Sequence, residues 1–244
     1  MTVNPAGSRW QGVVRPAVLA HRGASAAKQE NTIDAFREAA RLGADGVELD
    51  VRRSRDSALV VHHDAALADG RLIKDVEVPD LPAHVPLLGA ALDACDGMVV
   101  NIEIKNVEVD PDYDPDEFLA AAVAALVGER DLHERVVVSS FSLATIDAVA
   151  EADPDIRCGY LTSPRWDQVG ALQRAIDAGH AAFHPNHASV NEALVAAAHD
   201  AGLEVNVWTV DEPDRLRWLA TLGVDAIITN VPDVAVATLR EARA

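Results

Sequence analysis

The sequence has few cysteines, comparatively few basic residues and no long apolar run. Its two cysteines, Cys95 and Cys158, lie far apart in apolar surroundings, so we expect buried thiols and neither a disulfide nor a zinc site. No apolar stretch approaches the length of a membrane span, and the segment Met1 to Arg15 lacks the apolar core of a signal peptide. These absences predict a cytoplasmic protein without stable membrane association.

Acidic residues outnumber basic ones by 39 to 21, which gives a formal net charge of −18. A charge of this sign and size argues against binding to nucleic acids or to anionic membranes. An anionic substrate would therefore need a pocket that is locally positive. The length of 244 residues fits either one barrel-sized domain or two small domains.

Segments typical of strands alternate with segments typical of helices along the whole chain. The predicted strands are Ala17–His21, Gly46–Val51, Met98–Ile104, Arg135–Ser139, Ile156–Leu161, Ala181–His184, Glu204–Trp208 and Ala226–Thr229. The predicted helices are Thr32–Leu42, Leu87–Ala94, Pro115–Gly128, Leu143–Ala152, Asp167–Ala178, Asn191–Ala201, Pro213–Leu222 and Asp233–Arg243. Glycines stand where C-terminal helix caps are expected, at Gly43, Gly128, Gly179, Gly202 and Gly223.

This alternation predicts an α/β fold, and eight strand–helix units predict a (β/α)₈ TIM barrel formed by a single domain over residues 1–244. The alternative is an open doubly wound sheet. A phosphate-binding glycine-rich turn after the first strand would favour that sheet, and His21-Arg22-Gly23-Ala24 is not such a turn. The connection after the second strand is long, with a short extra strand from Leu59 and a short inserted loop region at residues 64–86.

Carboxylates alternate with aliphatic residues in the second predicted strand. Glu48 and Asp50 share one face of this strand, because side chains i and i+2 point the same way. Two solvated surface acids are one interpretation, but the strand is otherwise apolar and paired carboxylates there need a compensating cation. The next barrel strand repeats the pattern with Asn101, Glu103 and Lys105. Acids on inward faces of separate strands predict an oxygen-rich site for one divalent cation, and both Mg²⁺ and Ca²⁺ fit.

Histidines and basic residues also fall at the ends of predicted strands, where the active sites of barrels lie. His21 and His63 form a plausible acid–base pair, because imidazole titrates near neutral pH. Arg22 and Lys105 supply positive charge suited to phosphate oxygens. Together with a divalent cation, these groups predict phosphoester chemistry.

The ordered set of motifs resembles the glycerophosphodiester phosphodiesterase family over nearly the whole chain, from about residue 19 to residue 232. The matching segments are residues 21–23, 30–32 with 35–36, 43–51, 60–64, 101–105, 139–141, 207–210 and 223–230. The resemblance implies a TIM barrel and an enzyme of phosphodiester hydrolysis. The set departs from the family pattern at Gln29, in the short stretch after Asp64, and at Asp211 and Asn230, where the family often has Asn and Asp.

The resemblance also implies the catalytic machinery. His21 and His63 resemble the catalytic histidines, with His63 chosen over His62 because the family's histidine directly precedes Asp. The implied ligands of one divalent cation, Mg²⁺ or Ca²⁺, are the three strand carboxylates Glu48, Asp50 and Glu103.

Substrate contacts follow from the same resemblance. Arg22 and Lys105 resemble the phosphate binders, and Trp208 and Phe141 resemble an aromatic wall near the glycerol, with ordinary core packing as the alternative for both. Glu30 is expected to organise its loop and not to bind the cation. His184 and His187 are expected at the surface or the rim.

The implied reaction is metal-dependent hydrolysis of glycerophosphodiesters to sn-glycerol 3-phosphate and an alcohol by two-histidine acid–base catalysis. The alternatives are a lysophospholipase D-type phosphodiesterase on the same scaffold and a noncatalytic binder of phosphorylated metabolites. The expected partner is a small-molecule phosphodiester. The sequence does not specify the alcohol, the oligomeric state or which histidine begins as the base.

Overall fold

The computed structural model of the protein describes residues 16–241, so the prediction for Met1 to Arg15 lies outside the described residues. The strands are β1 (Ala17–His21), β2 (Gly46–Arg53), β3 (Leu59–Val61), β4 (Val99–Ile104), β5 (Val136–Ser140), β6 (Arg157–Thr162), β7 (Ala182–Pro185), β8 (Glu204–Val207) and β9 (Ala226–Thr229). The helices are α1 (Ile33–Arg41), α2 (Leu88–Ala94), α3 (Phe118–Glu129), α4 (Leu143–Ala152), α5 (Gln168–Asp177), α6 (Glu192–Asp200), α7 (Pro213–Leu222) and α8 (Pro232–Glu241).

The sheet closes into a barrel. Its strand order is β1-β9-β8-β7-β6-β5-β4-β2-β3, and β1 also pairs with β2. All the pairings around the ring are parallel, whereas β3 pairs with β2 in the antiparallel direction outside the ring. The predicted (β/α)₈ barrel with an insertion after the second strand is therefore confirmed, and the open sheet is wrong.

Side-chain caps and turns define where several helices begin and end. Thr32 accepts a hydrogen bond from the main-chain N–H of Ala35 at the start of α1, and Ser142 and Asn191 do the same for α4 and α6. Gly223 ends α7 with a φ of 77°, a left-handed conformation that suits glycine. The predicted cap at Gly128 is wrong, because α3 continues to Glu129.

The apolar core has two main parts, which follow from the alternation of side chains along the strands. Most aliphatic strand residues, such as Leu49 and Ile102, pack outward against the helices. A smaller cluster, Ala17, Leu19, Ala226 and Ile228, lies on β1 and β9. The longest described helix, α3, has 12 residues, and no helix in residues 16–241 is long and apolar enough to cross a bilayer.

The segment between β2 and α2 forms a small lobe at the rim of the barrel, which we call the rim segment (residues 54–87). It contains β3 and two short 3₁₀ turns, Ile73–Asp75 and Val78–Asp80. The rim segment has its own apolar cluster, formed by Val60, Leu67, Ile73, Val76 and Val85. Its attachment to the barrel includes a hydrogen bond of 3.0 Å from the main-chain N–H of His62 to the carbonyl of Asp50.

Candidate active site

Three carboxylates lie close together inside the barrel, toward the C-terminal ends of its strands. Glu48 and Asp50 project from β2, and the register places Asp50 beside Glu103 of β4. One oxygen from each of the three side chains lies within 4.8 Å of the others. All three residues are buried. The strand alternation that predicted this cluster is therefore realised.

Burial and mutual repulsion control the protonation of these acids. Burial, together with the charges of Asp50 and Glu103, raises the pKa of Glu48 well above its ordinary value. Burial also raises the pKa of Glu103. The pKa of Asp50 is lowered in spite of its burial, because Lys105 and Arg22 stabilise its negative charge. In the described residues, Oε1 of Glu48 is buried and accepts no hydrogen bond.

The two predicted phosphate binders are paired with carboxylates. Lys105 Nζ lies 2.5 Å from Glu103 Oε1 and 3.2 Å from Asp50 Oδ1. Arg22 Nε lies 3.2 Å from Asp50 Oδ2, and its Nη1 donates to both oxygens of Glu30 at 2.9 and 3.1 Å. Positive charge is thus concentrated beside the acids in a protein that is negative overall. Glu30 lies outside the carboxylate cluster and holds the arginine from its outer side.

The loop after β1 contacts two of the carboxylates, and its backbone is strained at two residues. Arg22 and Asn31 both have left-handed φ angles, 57° and 56°. In this conformation the main-chain N–H of Arg22 donates to Glu48 Oε2 at 3.0 Å. The side chain of Asn31 donates to Asp50 Oδ2 at 2.8 Å. Asn31 is a site residue that sequence reasoning missed, although it stands within the Glu30-Asn31-Thr32 motif.

His21 is placed at the end of β1, in register with Glu48. Its Nε2 lies 3.9 Å from Glu48 Oε2, and its Nδ1 lies 2.7 Å from Asn230 Oδ1. Burial lowers the pKa of His21, and the charge of Arg22 lowers it further. The carboxylate of Asp211, on the loop after β8, accepts hydrogen bonds from the main chain and the side chain of Asn230.

His63 follows β3 on the rim segment and lies near the same acids. Its Nδ1 is 2.7 Å from Asp64 Oδ1, and burial lowers its pKa against the opposing charge of Asp50. His63 lines one cleft together with Glu103 and Lys105, and His21 Nε2 lies 3.9 Å from Glu48 Oε2, so each predicted histidine neighbours a member of the carboxylate cluster. The ring of His62 turns instead to the main-chain carbonyl of Asp64, at 2.9 Å.

A cleft of about 760 Å³ opens beside Glu103 and Lys105. Its lining combines apolar residues, Ala65 to Ala68 of the rim segment with Val107 and Pro111, with charged and polar ones such as Arg52, His63 and Asp110. Phe141 lines the cleft and packs edge-to-face on Trp208, with ring centroids 5.5 Å apart. Trp166 makes a second edge contact with Phe141 at 6.1 Å, and sequence reasoning missed it because it lies beyond the end of β6.

The prediction for His184 is wrong. The residue is 1% exposed and lies in β7, with its Nε2 3.0 Å from Asn206 Nδ2. A Cβ atom at Gly159 on the neighbouring strand would stand only 2.4 Å from that Nε2, so glycine makes room for the imidazole. His187 lies in the turn after β7 and is half-buried, as expected for the rim.

Comparison with known proteins gives the same family throughout. Residues 21–234 match the sequence profile of the glycerophosphoryl diester phosphodiesterase family. A glycerophosphodiester phosphodiesterase of Caldanaerobacter subterraneus is 31% identical, with 92% of this chain and 98% of that protein covered. One from Bacillus altitudinis is 30% identical, with coverage of 90% and 96%. The crystal structure of a glycerophosphodiester phosphodiesterase from Thermotoga maritima superposes with a TM-score of 0.78 at 27% identity, covering 91% of this chain and 97% of that one.

Proposed function

Because the chain belongs to the glycerophosphoryl diester phosphodiesterase family, whose enzymes hydrolyse glycerophosphodiesters, we propose that it does so by a metal-dependent, two-histidine mechanism. The products are sn-glycerol 3-phosphate and a free alcohol. The observation that carries the proposal is the convergence of Glu48, Asp50 and Glu103 within 4.8 Å, with His21 at 3.9 Å from Glu48 and His63 in the same cleft as Glu103.

The three carboxylates fit a single divalent cation of the Mg²⁺ or Ca²⁺ class. They offer only oxygen donors, which hard cations prefer. The raised pKa of Glu48 and its unpartnered Oε1 fit a cation bound at this position. When bound, the cation supplies Lewis-acid polarisation of the phosphoryl group. Glu48, Asp50 and Glu103 would hold it.

Arg22 and Lys105 bind the nonbridging phosphate oxygens in this proposal. Both already lie at the acids, and Lys105 reaches the wall of the cleft. A substrate phosphate would exchange part of their carboxylate contacts for contacts with its own oxygens, which charge-assisted hydrogen bonds favour. The aromatic residues Phe141 and Trp208 would then cover the glycerol side.

The two histidines move the protons. One imidazole takes the proton of the glycerol 2-hydroxyl as its oxygen attacks phosphorus, and the other gives a proton to the departing alcohol oxygen. The attack forms a five-membered cyclic phosphate and breaks the bond to the alcohol. Water then opens the ring with the two histidines in reversed roles, which restores their protonation states and releases sn-glycerol 3-phosphate.

A second candidate is a lysophospholipase D-type activity at the same site. The apolar part of the cleft lining favours it, because Ala65 to Ala68, Val107 and Pro111 could accommodate an apolar chain next to Glu103. In both reactions the same phosphodiester chemistry would occur. The candidates differ only in what the cleft binds beyond the phosphate.

A substrate panel tests these proposals. Purified protein is incubated with glycerophosphocholine, glycerophosphoethanolamine and lysophosphatidylcholine, each with Mg²⁺, Ca²⁺ or a chelator. Release of sn-glycerol 3-phosphate that depends on the cation supports the main proposal, and faster release of choline from lysophosphatidylcholine favours the second. Glu48→Gln should be inactive, whereas Glu38→Gln, a change on α1 outside the carboxylate cluster, should match the parent. Binding of all substrates without turnover would identify a noncatalytic binder and overturn both.

We also propose a cytoplasmic location and a small-molecule phosphodiester as the partner. Cys95 and Cys158 are free and buried, and burial raises the pKa of each thiol to about 12. Unpaired, unreactive thiols of this kind are typical of a reducing compartment.

A further inference from the structure

Asn230 is held from several directions at the end of β9. The carboxylate of Asp211, on the loop after β8, accepts from its main-chain N–H at 2.8 Å through Oδ1. The other carboxylate oxygen, Oδ2, accepts from the side-chain Nδ2 at 2.7 Å. Thr229 Oγ1 donates to Asp211 Oδ1 at 3.0 Å. Asp211 therefore clamps both the backbone and the amide of Asn230.

The clamp determines which way the amide of Asn230 points. An ionised carboxylate only accepts hydrogen bonds, so the NH₂ group of Asn230 must face Asp211. The amide oxygen is then turned to the opposite side, where Ser25 Oγ donates to it at 3.0 Å and His21 Nδ1 lies at 2.7 Å. Because that oxygen has no proton to give, the contact is a hydrogen bond only if Nδ1 of His21 carries one.

We propose that Asp211, acting through Asn230, is a positioning residue that holds neutral His21 as the tautomer with its proton on Nδ1. In this tautomer the unprotonated Nε2 is the nitrogen on the side of Glu48. The opposite tautomer would place two lone pairs against each other at 2.7 Å in a largely buried position, which costs the full penalty of an unmade hydrogen bond. The inference rests on the proposed catalytic role of His21.

The two histidines are held by different means. His63 Nδ1 meets the carboxylate of Asp64 directly, and that carboxylate is 74% exposed. His21 contacts the neutral amide of Asn230, and the carboxylate of Asp211 in turn fixes the orientation of that amide. An amide can rotate by half a turn and exchange its donor and acceptor ends, whereas a carboxylate cannot. The tautomer of His21 therefore depends on Asp211 although the two side chains do not touch.

Nitrogen-15 NMR of protein labelled at histidine tests the tautomer without substrate. The cation-loaded protein is studied at about pH 8.5, where imidazole is neutral, and the His21 signals are identified by their loss in His21→Gln. We expect the shift of a protonated nitrogen at Nδ1 and of an unprotonated one at Nε2. Asp211→Asn should give a mixture of tautomers. Ser25→Ala removes the other bond to the same oxygen and leaves the amide orientation intact, so it should leave the signals in place.

Kinetics of the reciprocal exchange give the second test. Asp211→Asn should lower kcat roughly 10- to 100-fold, as loss of an orienting partner usually does, with little change in KM. Asn230→Asp should also lower kcat, because carboxylates at positions 211 and 230 would repel each other and displace the acceptor from His21. The double variant D211N/N230D restores one donor–acceptor pair and still offers His21 an acceptor, so its kcat should return to within about fivefold of the parent.

The outcomes separate this inference from the proposed function. A tautomer that changes in Asp211→Asn, in a protein without phosphodiesterase activity, would support the positioning role and reject the function. An active enzyme whose parent form carries the His21 proton on Nε2 would overturn the inference, and this measurement needs only the assignment variant His21→Gln besides the parent. Equal kcat in Asp211→Asn and the parent, or a double variant no better than the worse single one, would also overturn it.

Discussion

Arg52 donates a hydrogen bond of 2.8 Å from Nε to the main-chain carbonyl of His63. The rest of its buried guanidinium faces the acidic loop after β4, with both oxygens of Asp112 at 2.6 and 2.7 Å and Asp110 at 3.0 Å. One side chain at the end of β2 thus ties the catalytic candidate on the rim segment to a second loop that borders the cleft. This hydrogen bond holds the main chain at His63 and so helps to set the direction in which the His63 ring points.

Replacement of Arg52 should destabilise the protein strongly. Arg52→Met would leave the 5% exposed side chain of Asp112 without its cation, and loss of one partner of a buried pair usually costs about 3–5 kcal/mol. Urea denaturation should show this loss in the free energy of unfolding. Arg41→Met, which breaks the exposed pair with Glu38, should have no measurable effect. An Arg52→Met protein as stable as the parent would contradict the role assigned to this residue.

The adjacent histidines should differ sharply in their effect on turnover. His63→Ala should reduce kcat by roughly 10²–10⁴-fold, the usual contribution of a positioned acid or base. His62→Ala should be much milder, because its ring binds the main-chain carbonyl of Asp64. Steady-state kinetics on glycerophosphocholine would measure both. A severe His62→Ala with a mild His63→Ala would reverse the assignment of the pair.

Cation binding should stabilise the fold. After chelator treatment and dialysis, addition of Ca²⁺ or Mg²⁺ should raise Tm, because a ligand at 100 times its Kd contributes about 2.7 kcal/mol to the native state. Glu48→Gln should abolish the rise. Glu38→Gln, remote from the cluster, should preserve it. Full activity and an unchanged Tm in chelator would exclude a metal-dependent mechanism.

The pair of His199 and Asp225 should make stability depend on pH. Its Nε2–Oδ2 distance is 2.9 Å, and the hydrogen bond and charge of Asp225 raise the pKa of His199 in the folded state. The contribution of His199 is therefore fully present below the unfolded pKa of about 6.5 and is lost as the pH rises through the higher folded value.

Accordingly, His199→Gln should reduce the free energy of unfolding more at acid pH than at alkaline pH, as measured by urea titrations across that range. His187 gives a control of opposite sign. The pKa of His187 is lowered by burial and by Arg215. The free energy of unfolding of His187→Gln, relative to that of the parent, should therefore be higher at acid pH than at alkaline pH. Parallel pH profiles for His199→Gln and the parent would refute the assigned linkage.

A 2-deoxyglycerol phosphodiester should bind without reacting. It retains the phosphate that Arg22 and Lys105 would hold, but it lacks the hydroxyl that would attack phosphorus. We expect competitive inhibition of glycerophosphocholine hydrolysis and no release of alcohol from the analogue. Rapid hydrolysis of the analogue would show that water attacks phosphorus directly, which rules out the cyclic phosphate.

The sequence was sufficient for the barrel and for the carboxylate cluster. Strand periodicity placed Glu48 and Asp50 on one face, and parallel pairing then brought Glu103 beside Asp50. These features depend on the alternation of side chains along each strand and on the parallel pairing of neighbouring barrel strands. The alternation also put β2 in the right place, although the strand runs two residues further than predicted, to Arg53.

Other site features depend on pairings that no local pattern encodes. Asn31 contacts Asp50 only because the loop after β1 takes a left-handed turn. Asp211 reaches Asn230 across neighbouring strands, and Arg52 reaches a loop about 60 residues away in the chain. His184 was misplaced because the inside of this barrel holds polar side chains such as Asn206, which the usual expectation of an apolar interior does not anticipate.

The rim segment carries His63, whereas His21 and the three carboxylates stand on strands of the closed ring. Because this segment lies outside the ring and β3 has only three residues, we expect it to open at a lower free energy than the barrel unfolds. Such an opening would remove one half of the acid–base pair and leave the rest assembled. Loss of activity on heating should then precede loss of the fold, and hydrogen exchange at Val60 and Val61, compared with β2, would give the free-energy difference between the two openings.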